Sequence, residues 1–398
     1  MSIVFHWFLP TNGDGRRLVE PEAPVPGVAG GPRPATLGYL TQITSAAEDF
    51  GFEGALTPAG PWCDDAWITT AALAQRTRRL KFLVAFRPGV TSPTLAAQMS
   101  ATYQFHTNGR LLLNVVTGGD SAEQHAFGDW LGKDERYVRC GEFLDIVRTL
   151  WAGTVVDYEG THIQVERGAL GRQPDPIPPV YFAGSSPAAL AIAARHADVY
   201  LTWGEPPEQV AEKLDRVRSL AAAQGRTLRF GIRLHVVSRD SSASAWAAAD
   251  ALLDGISDEA IAEVHARMST TESEGQKRML ALHGGTRDDL EVSPNLWAGV
   301  GLARGGAGTA LVGSHHEVAD RIEDYRAIGI DEFILSGYPH LEELYWFGEG
   351  VLPVLEERGS WTRPEEVAEG MHTGSISSGG VAFGVVPLPG DPLPAPPT

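Results

Sequence analysis

The sequence predicts an α/β protein built as a (β/α)8 TIM barrel with insertions, and three observations carry that prediction. Short apolar, strand-like runs alternate with helical patterns along most of the chain. One such run, residues 230–237 (Phe-Gly-Ile-Arg-Leu-His-Val-Val), has two unlike faces: Phe230, Ile232, Leu234 and Val236 on one side, Gly231, Arg233 and His235 on the other. A guanidinium beside an imidazole is costly in an apolar core, so the second face should line a polar cavity. Finally, polar and aromatic residues stand at successive strand ends: Asn12, Cys63, Thr117, Gly184 to Ser186, Trp203, Arg233, His235 and Tyr338. A parallel barrel gathers such positions at its C-terminal mouth, where catalysis resides. From the residues alone, the alternative that buried carboxylates neutralise Arg233 and His235 stays open.

The first strand is read at 3–9, followed by an exposed Pro-Thr-Asn-Gly-Asp-Gly loop and a Pro/Gly-rich connection over 20–34. A helix at 36–50 leads to a second strand at 54–58. The next helix, 65–75, starts behind Asp64 and Asp65, acids suited to a helix N-terminus, so the Cys63 thiol should feel the helix dipole. Strand three (80–86), a helix (93–106) and strand four (110–116) continue the alternation. A helix at 135–151 precedes an excursion over 153–178 with β character and clustered prolines. Strand five (180–183), an Ala-rich helix to 196, strand six (199–202) and a helix at 207–224 lead into strand seven at 230–237. The stretch 257–313 is too long for a simple connection. Its Gly-rich end, 294–313, carries Arg304 as its one charge and is read as a mobile lid with helical pieces. Strand eight (332–336) and a helix at 341–357 close a single domain over 1–358. The Gly/Ser/Pro-rich tail, 359–398, is expected to be disordered.

Composition narrows the function. With 43% hydrophobic and 21% charged residues over 398 positions, the chain is an ordinary globular sequence long enough for one large barrel. A net charge of −18 disfavours nucleic-acid or anionic-membrane binding over the general surface, so an anionic substrate needs a local basic pocket. Two cysteines, Cys63 and Cys140, the lack of a leader pattern and the lack of a long apolar run predict a cytoplasmic location. Gly306-Ala-Gly308 lacks the third glycine of a dinucleotide fingerprint, and His315-His316-Glu317 lacks zinc-protease spacing. No metal cluster and no Gly-x-Ser-x-Gly elbow occur. Gly184-Ser185-Ser186 before a helix reads equally as a phosphate site or as an ordinary Ser cap followed by Pro187.

Seven stretches carry a family resemblance: Phe8-Leu9-Pro10-Thr11, 63–67 (Cys-Asp-Asp-Ala-Trp), 116–120 (Val-Thr-Gly-Gly-Asp), 201–207 (Leu-Thr-Trp-Gly-Glu-Pro-Pro), 231–235, 295–299 (Asn-Leu-Trp-Ala-Gly) and 336–341 (Ser-Gly-Tyr-Pro-His-Leu). Together they resemble bacterial alkanesulfonate monooxygenases, within the luciferase-like flavin-dependent monooxygenases, over nearly the whole chain to about residue 357. The resemblance implies reduced FMN delivered by a separate NAD(P)H:flavin reductase, O2 as oxidant, and cleavage of a carbon–sulfur bond to aldehyde and sulfite. It implies Arg233, His235, Arg304, Cys63 and Tyr338 as the active-site set. Tyr137, Gly184, Ser185 and Ser186 would lie at the FMN phosphate with Thr117 also on the cofactor, and the assembly would be a homodimer or homotetramer. Asn12, Trp62 and Trp203 would line the substrate pocket. Asn12 stands where the sulfonate enzymes usually carry His, and Gly60-Pro61-Trp62-Cys63 replaces Gly-Arg-Ser-Cys. Loss of positive charge and gain of an aromatic suit a neutral or planar substrate, and the similar flavoenzymes include a riboflavin lyase. A non-catalytic flavin-binding barrel is the third reading.

Overall fold

Eight parallel strands close into a ring in a computed structural model that describes residues 2–19 and 33–364. They are β1 (Val4–Phe8), β2 (Gly54–Thr57), β3 (Lys81–Phe86), β4 (Leu111–Val115), β5 (Val180–Ala183), β6 (Val199–Trp203), β7 (Arg229–Arg239) and β8 (Glu332–Ser336). Each pairs with the next in chain order, and β8 returns to β1. The intervening helices begin where the sequence carries caps. Asp65, Ser92 and Ser186 each accept a backbone N–H of the first turn, and Pro follows two of them at the first helical position.

Period-two alternation sends one face of each strand inward. Phe8, Leu56, Leu83, Leu112, Tyr181, Val199, Leu201 and Ile334 form an apolar plug inside the ring, while the opposite faces pack on the helices. Toward the N-terminal end of the strands Glu332, fully buried, accepts from His6 Nε2 (3.0 Å) and the Tyr181 hydroxyl (2.8 Å), and is ion-paired with Arg229 Nη1 (2.6 Å). The polar groups of the mouth lie beyond the plug.

The insertion over 153–178 contains an antiparallel hairpin, Val156–Glu159 with Gln164–Gly168. The larger insertion opens with helices Asp258–Ser269 and Glu274–His283, the helical pieces expected there. Its end departs from the mobile-lid expectation. Leu296–Trp297 and Ala310–Ser314 are strands, joined by the short helix Val300–Ala303, and Ala310–Ser314 adds in parallel to the barrel sheet. Leu296, Trp297, Val300 and Leu302 are 1–2% exposed, mostly against Ala245, Ala249 and Leu252 of helix Ser242–Leu252, an element the sequence reading passed over. The glycines serve close approach here: Gly301 N–H donates to Gly308 O at 2.9 Å. Only the turn around Arg304 fits the looser description, and its Gly306 N–H is tied to Gln276 Oε1 at 2.8 Å.

The domain also extends past the expected boundary at 358. Trp361 is 3% exposed in the main core, and Ile3 N–H donates to Ser360 O at 3.1 Å. The rest of the expected tail, 365–398, lies outside the described residues. Among the described residues no helix is long and apolar enough to cross a membrane.

Candidate active site

Strand β7 is longer than expected and changes neighbour partway along one edge. Residues 229–233 pair with β6, and Gly204 N–H still reaches Arg233 O at 3.1 Å. From His235 onward the neighbour is Ala310–Ser314, introduced by His235 N–H to Thr309 O at 2.9 Å. Thr309 Oγ1 donates to Gly204 O at 2.6 Å across the seam. Arg233 and His235 therefore flank the fork, both on the inward face as expected, and both are buried.

A relay of hydrogen bonds fixes them. Arg233 Nη2 donates to Ser336 Oγ at 2.7 Å, and Ser336 Oγ lies 2.7 Å from His235 Nδ1. His235 Nε2 lies 3.1 Å from Ala307 O, an atom that can only accept, so Nε2 carries the proton and Nδ1 accepts from Ser336. Burial first, then the charges of Arg233 and Arg304, holds His235 well below the ordinary histidine value. It is neutral, with both nitrogens engaged.

Tyr338, from the loop after β8, stacks on His235 at 5.6 Å between ring centroids, and Arg304 Nη1 donates to the Tyr338 hydroxyl. The Arg233 guanidinium lies 4.8 Å from the centre of the Phe8 ring. Among the described residues neither arginine meets a carboxylate: Arg233 bonds Leu234 O, Ile334 O and Ser336, and Arg304 bonds Gly305 O and Tyr338. Burial, with the repulsion of Arg304, pushes Arg233 down to about 9, so it stays cationic at neutral pH. The carboxylate-neutralised alternative does not hold. Two cations held together without a counter-ion among the described residues favour an anionic ligand.

Cys63 is not part of this cluster and departs from its expected state. Its Sγ approaches Gly60 O at 3.5 Å, and burial pushes the thiol up to about 11. Asp65 caps the following helix, and the negative charge of Asp64 adds to the upward shift. Burial, with the charges of Asp64 and Glu123, keeps the thiol protonated. Half-buried Trp62 donates Nε1 to Glu123 Oε1 at 3.1 Å, and Glu123 is ion-paired to Arg87 at the end of β3. Half-buried Asn12 sits in the adjoining first loop, where Asp64 N–H donates to Thr11 O at 3.2 Å. Trp203 ends β6 beside Gly275, where a Cβ would lie 3.2 Å from its ring.

A second locus forms at the end of β5. Gly184 has φ of 147°, and a Cβ there would come within 2.6 Å of Ala189 Cβ, with the Tyr137 hydroxyl at 3.4 Å, so the cradle requires glycine. Ser186 spends its hydroxyl accepting from Ala189 N–H at 3.3 Å as a true cap. Ser185, Tyr137 and the free N–H groups of helix Pro187–His196 remain suited to a phosphate. Between the loci, Asn114 Oδ1 on the inward face of β4 is buried without a partner among the described residues. It can accept an N–H from a flavin ring, so the residues present fit FMN. Half-buried Thr117 opens the next loop, whose Gly119 O accepts from Thr271 Oγ1 of the helical insertion at 3.2 Å.

The sequence reading missed Ser336, Asp14 and His340 as site residues. Asp14 and His340 are joined at 2.9 Å across 326 positions, a link no local pattern encodes.

Residues 3–332 match the profile of the luciferase-like monooxygenases. The fold is similar to that of a riboflavin lyase solved with modified FMN and riboflavin, with a TM-score of 0.75, 22% identity, and 92% of this chain and 94% of that chain covered. It is also similar to an EDTA monooxygenase from Chelativorans sp. BNC1, with a TM-score of 0.71, 19% identity and 92% and 96% coverage. A long-chain alkane monooxygenase aligns with a TM-score of 0.68, 23% identity and 92% and 94% coverage. With a profile matched over most of its length and a closed eight-stranded barrel, the chain belongs to the luciferase-like monooxygenase family.

Proposed function

We propose that the chain is a monooxygenase that takes reduced FMN from a separate NAD(P)H:flavin reductase and, with O2, converts an alkanesulfonate to an aldehyde and sulfite. The observation that carries this reading is the pair Arg233 and Arg304, two guanidinium groups at one mouth with no carboxylate partner among the described residues. A sulfonate offers three oxygens bearing one delocalised charge, which suits donors converging from the two guanidinium groups.

Reduced FMN, when bound, supplies the electrons that activate O2. Tyr137, Gly184 and Ser185, with the N-terminus of helix Pro187–His196, would hold its phosphate, and Asn114 would meet its ring. The neutral His235 and Ser336 keep Arg233 aimed at the substrate headgroup. Helix Glu274–His283 helps to shield the mouth from water, tied by Arg278 Nε to Glu205 Oε2 at 2.8 Å and by Gln276 to Gly306. The reductase, a homodimeric or homotetrameric assembly and a cytoplasmic location belong to the same proposal.

A second reading, oxidative carbon–nitrogen cleavage of a heterocycle such as riboflavin to lumichrome, is favoured by Trp62. Its indole is held by Glu123 as an aromatic wall, with Asn12 in the adjoining loop. Incubating the protein with FMN, a flavin reductase, NADH and each substrate class separates the readings. Sulfite release supports the first and lumichrome the second. Hydrogen peroxide as the sole product across the panel would leave only a flavin-binding barrel.

A further inference from the structure

The mouth holds two histidines, and their hydrogen bonds give them opposite capacities. Both nitrogens of His235 are engaged: Nε2–H points at Ala307 O, and Nδ1 accepts from Ser336. His340 follows Tyr338 in the loop after β8 and is 3% exposed. Its Nδ1 lies 2.9 Å from Asp14 Oδ1, and its backbone N–H donates to Asp14 Oδ2 at 2.8 Å. Asp14 also accepts from Gly15 N–H at 2.9 Å and from the Tyr39 hydroxyl. Burial pushes the Asp14 carboxyl up, but the hydrogen bonds and electrostatic attraction of the polar His340 ring, with the hydrogen bond from Tyr39, more than offset this and hold it below the ordinary aspartate value. An ionised Asp14 can only accept, so His340 carries its proton on Nδ1. The lone pair is then on Nε2, which is buried and has no hydrogen-bond partner among the described residues. The ring lies 5.2 Å from Tyr338 and 5.8 Å from Phe8, the side chains that adjoin His235 and Arg233. Arg304 donates to the Tyr338 hydroxyl, and the Cys63 thiol is locked in its protonated form, so neither supplies a comparable base.

We propose that His340, oriented by Asp14, is the proton acceptor of the reaction, with Nε2 as the accepting atom; this rests on the sulfonate reading. Oxygen insertion at C1 gives R–CH(OH)–SO3−. Nε2 takes the hydroxyl proton, the O–H pair becomes the second bond of the aldehyde C=O, and the C–S bond breaks with its pair leaving on sulfur as sulfite. No electrons are gained or lost overall in this step. Asp14 stabilises the imidazolium, and the proton then leaves with the product as hydrogensulfite.

The test uses the full chain with FMN, a flavin reductase, NADH, O2 and octanesulfonate. His340→Gln is expected to lower sulfite release by at least about 100-fold, while anaerobic binding of reduced FMN and NADH consumption change little. Exogenous imidazole is expected to restore sulfite release to His340→Ala, a response that a purely structural residue would not give. In the 15N-labelled wild type, NMR should show His340 protonated at Nδ1 and bare at Nε2, and Asp14→Asn should shift that tautomer. Wild-type sulfite release by His340→Gln, or a proton on Nε2 in the neutral ring, would overturn the proton step alone. A wild type that releases no sulfite from any alkanesulfonate would instead overturn the sulfonate reading and the step with it.

Discussion

Ser336 shows how much of the mouth hangs on one hydroxyl. It accepts from Arg233 and donates to His235, so Ser336→Ala leaves two buried polar atoms, Arg233 Nη2 and His235 Nδ1, unpaired. The expected cost is roughly 2–4 kcal/mol, read as a lowered urea midpoint, together with a loss of turnover as Arg233 loses its fixed aim. Cys63 makes the opposite case. A thiol held at about 11 is not a thiolate at neutral pH, so Cys63→Ser should keep most of the turnover. Native Cys63 should react slowly with iodoacetamide at pH 8 and faster as pH rises through about 11. Because the folded thiol keeps its proton above the ordinary 9.0, the unfolded state ionises first, and stability falls as pH rises from 9.0 to about 11. Rapid alkylation of the folded protein at pH 8 would contradict the buried, protonated thiol.

The fork in strand β7 depends on close approach at Gly204. A Cβ there would come within 1.9 Å of Leu234 Cδ2 and 2.8 Å of Thr309 Oγ1, the atom that bridges the two neighbouring strands. Gly204→Ala must therefore push Ala310–Ser314 away from β7 or displace Leu234. It is expected to cost about 1–3 kcal/mol as an overpacking change and to speed proteolysis within 294–313. A fully stable Gly204→Ala protein with unchanged cleavage would show that the seam tolerates the extra atom. The helical insertion is tethered differently, through Glu205, which is 1% exposed and pairs with both Lys213 and Arg278. Glu205→Gln strands the buried Lys213 without its counter-charge, so an expected loss of about 3–5 kcal/mol should accompany faster cleavage in helix Glu274–His283.

Across the molecule, buried histidines set the acid limit. Burial and the neighbouring charges of Arg195, Arg148 and Arg226 push His196 down to about 3. Burial and His265 push His283 down to about 4, and His235 lies well below the ordinary 6.5. A depressed histidine is neutral in the fold, whereas the unfolded chain takes its proton near 6.5. This contribution is therefore fully present above 6.5 and is lost as pH falls toward about 4 and then about 3. The depressed carboxyls of Asp14 and Glu332 act in the same direction at lower pH. Urea midpoints should fall steadily below pH 6.5; a flat profile down to pH 4.5 would mean that these rings are not held neutral.

Local pattern was enough for much of this protein. Strand periodicity placed β1 to β8 within a few residues, and the cap residues marked helix starts. Alternation alone put Arg233 and His235 on the inward face, while strand ends collected most of the mouth. Each of these signals spans only a few neighbouring residues. The strand Ala310–Ser314 was not legible because its Gly-rich approach reads locally as a loop, and its pairing with residues 235–239 is a contact between distant segments. The same holds for the chemistry. The bond from His235 to Ala307 spans 72 positions, that from Arg233 to Ser336 spans 103, and that from His340 to Asp14 spans 326. Charge state and tautomer follow from burial and from such partners. Those exist only once the ring has closed, so the fold rather than the local sequence decides which histidine is locked and which keeps a free lone pair.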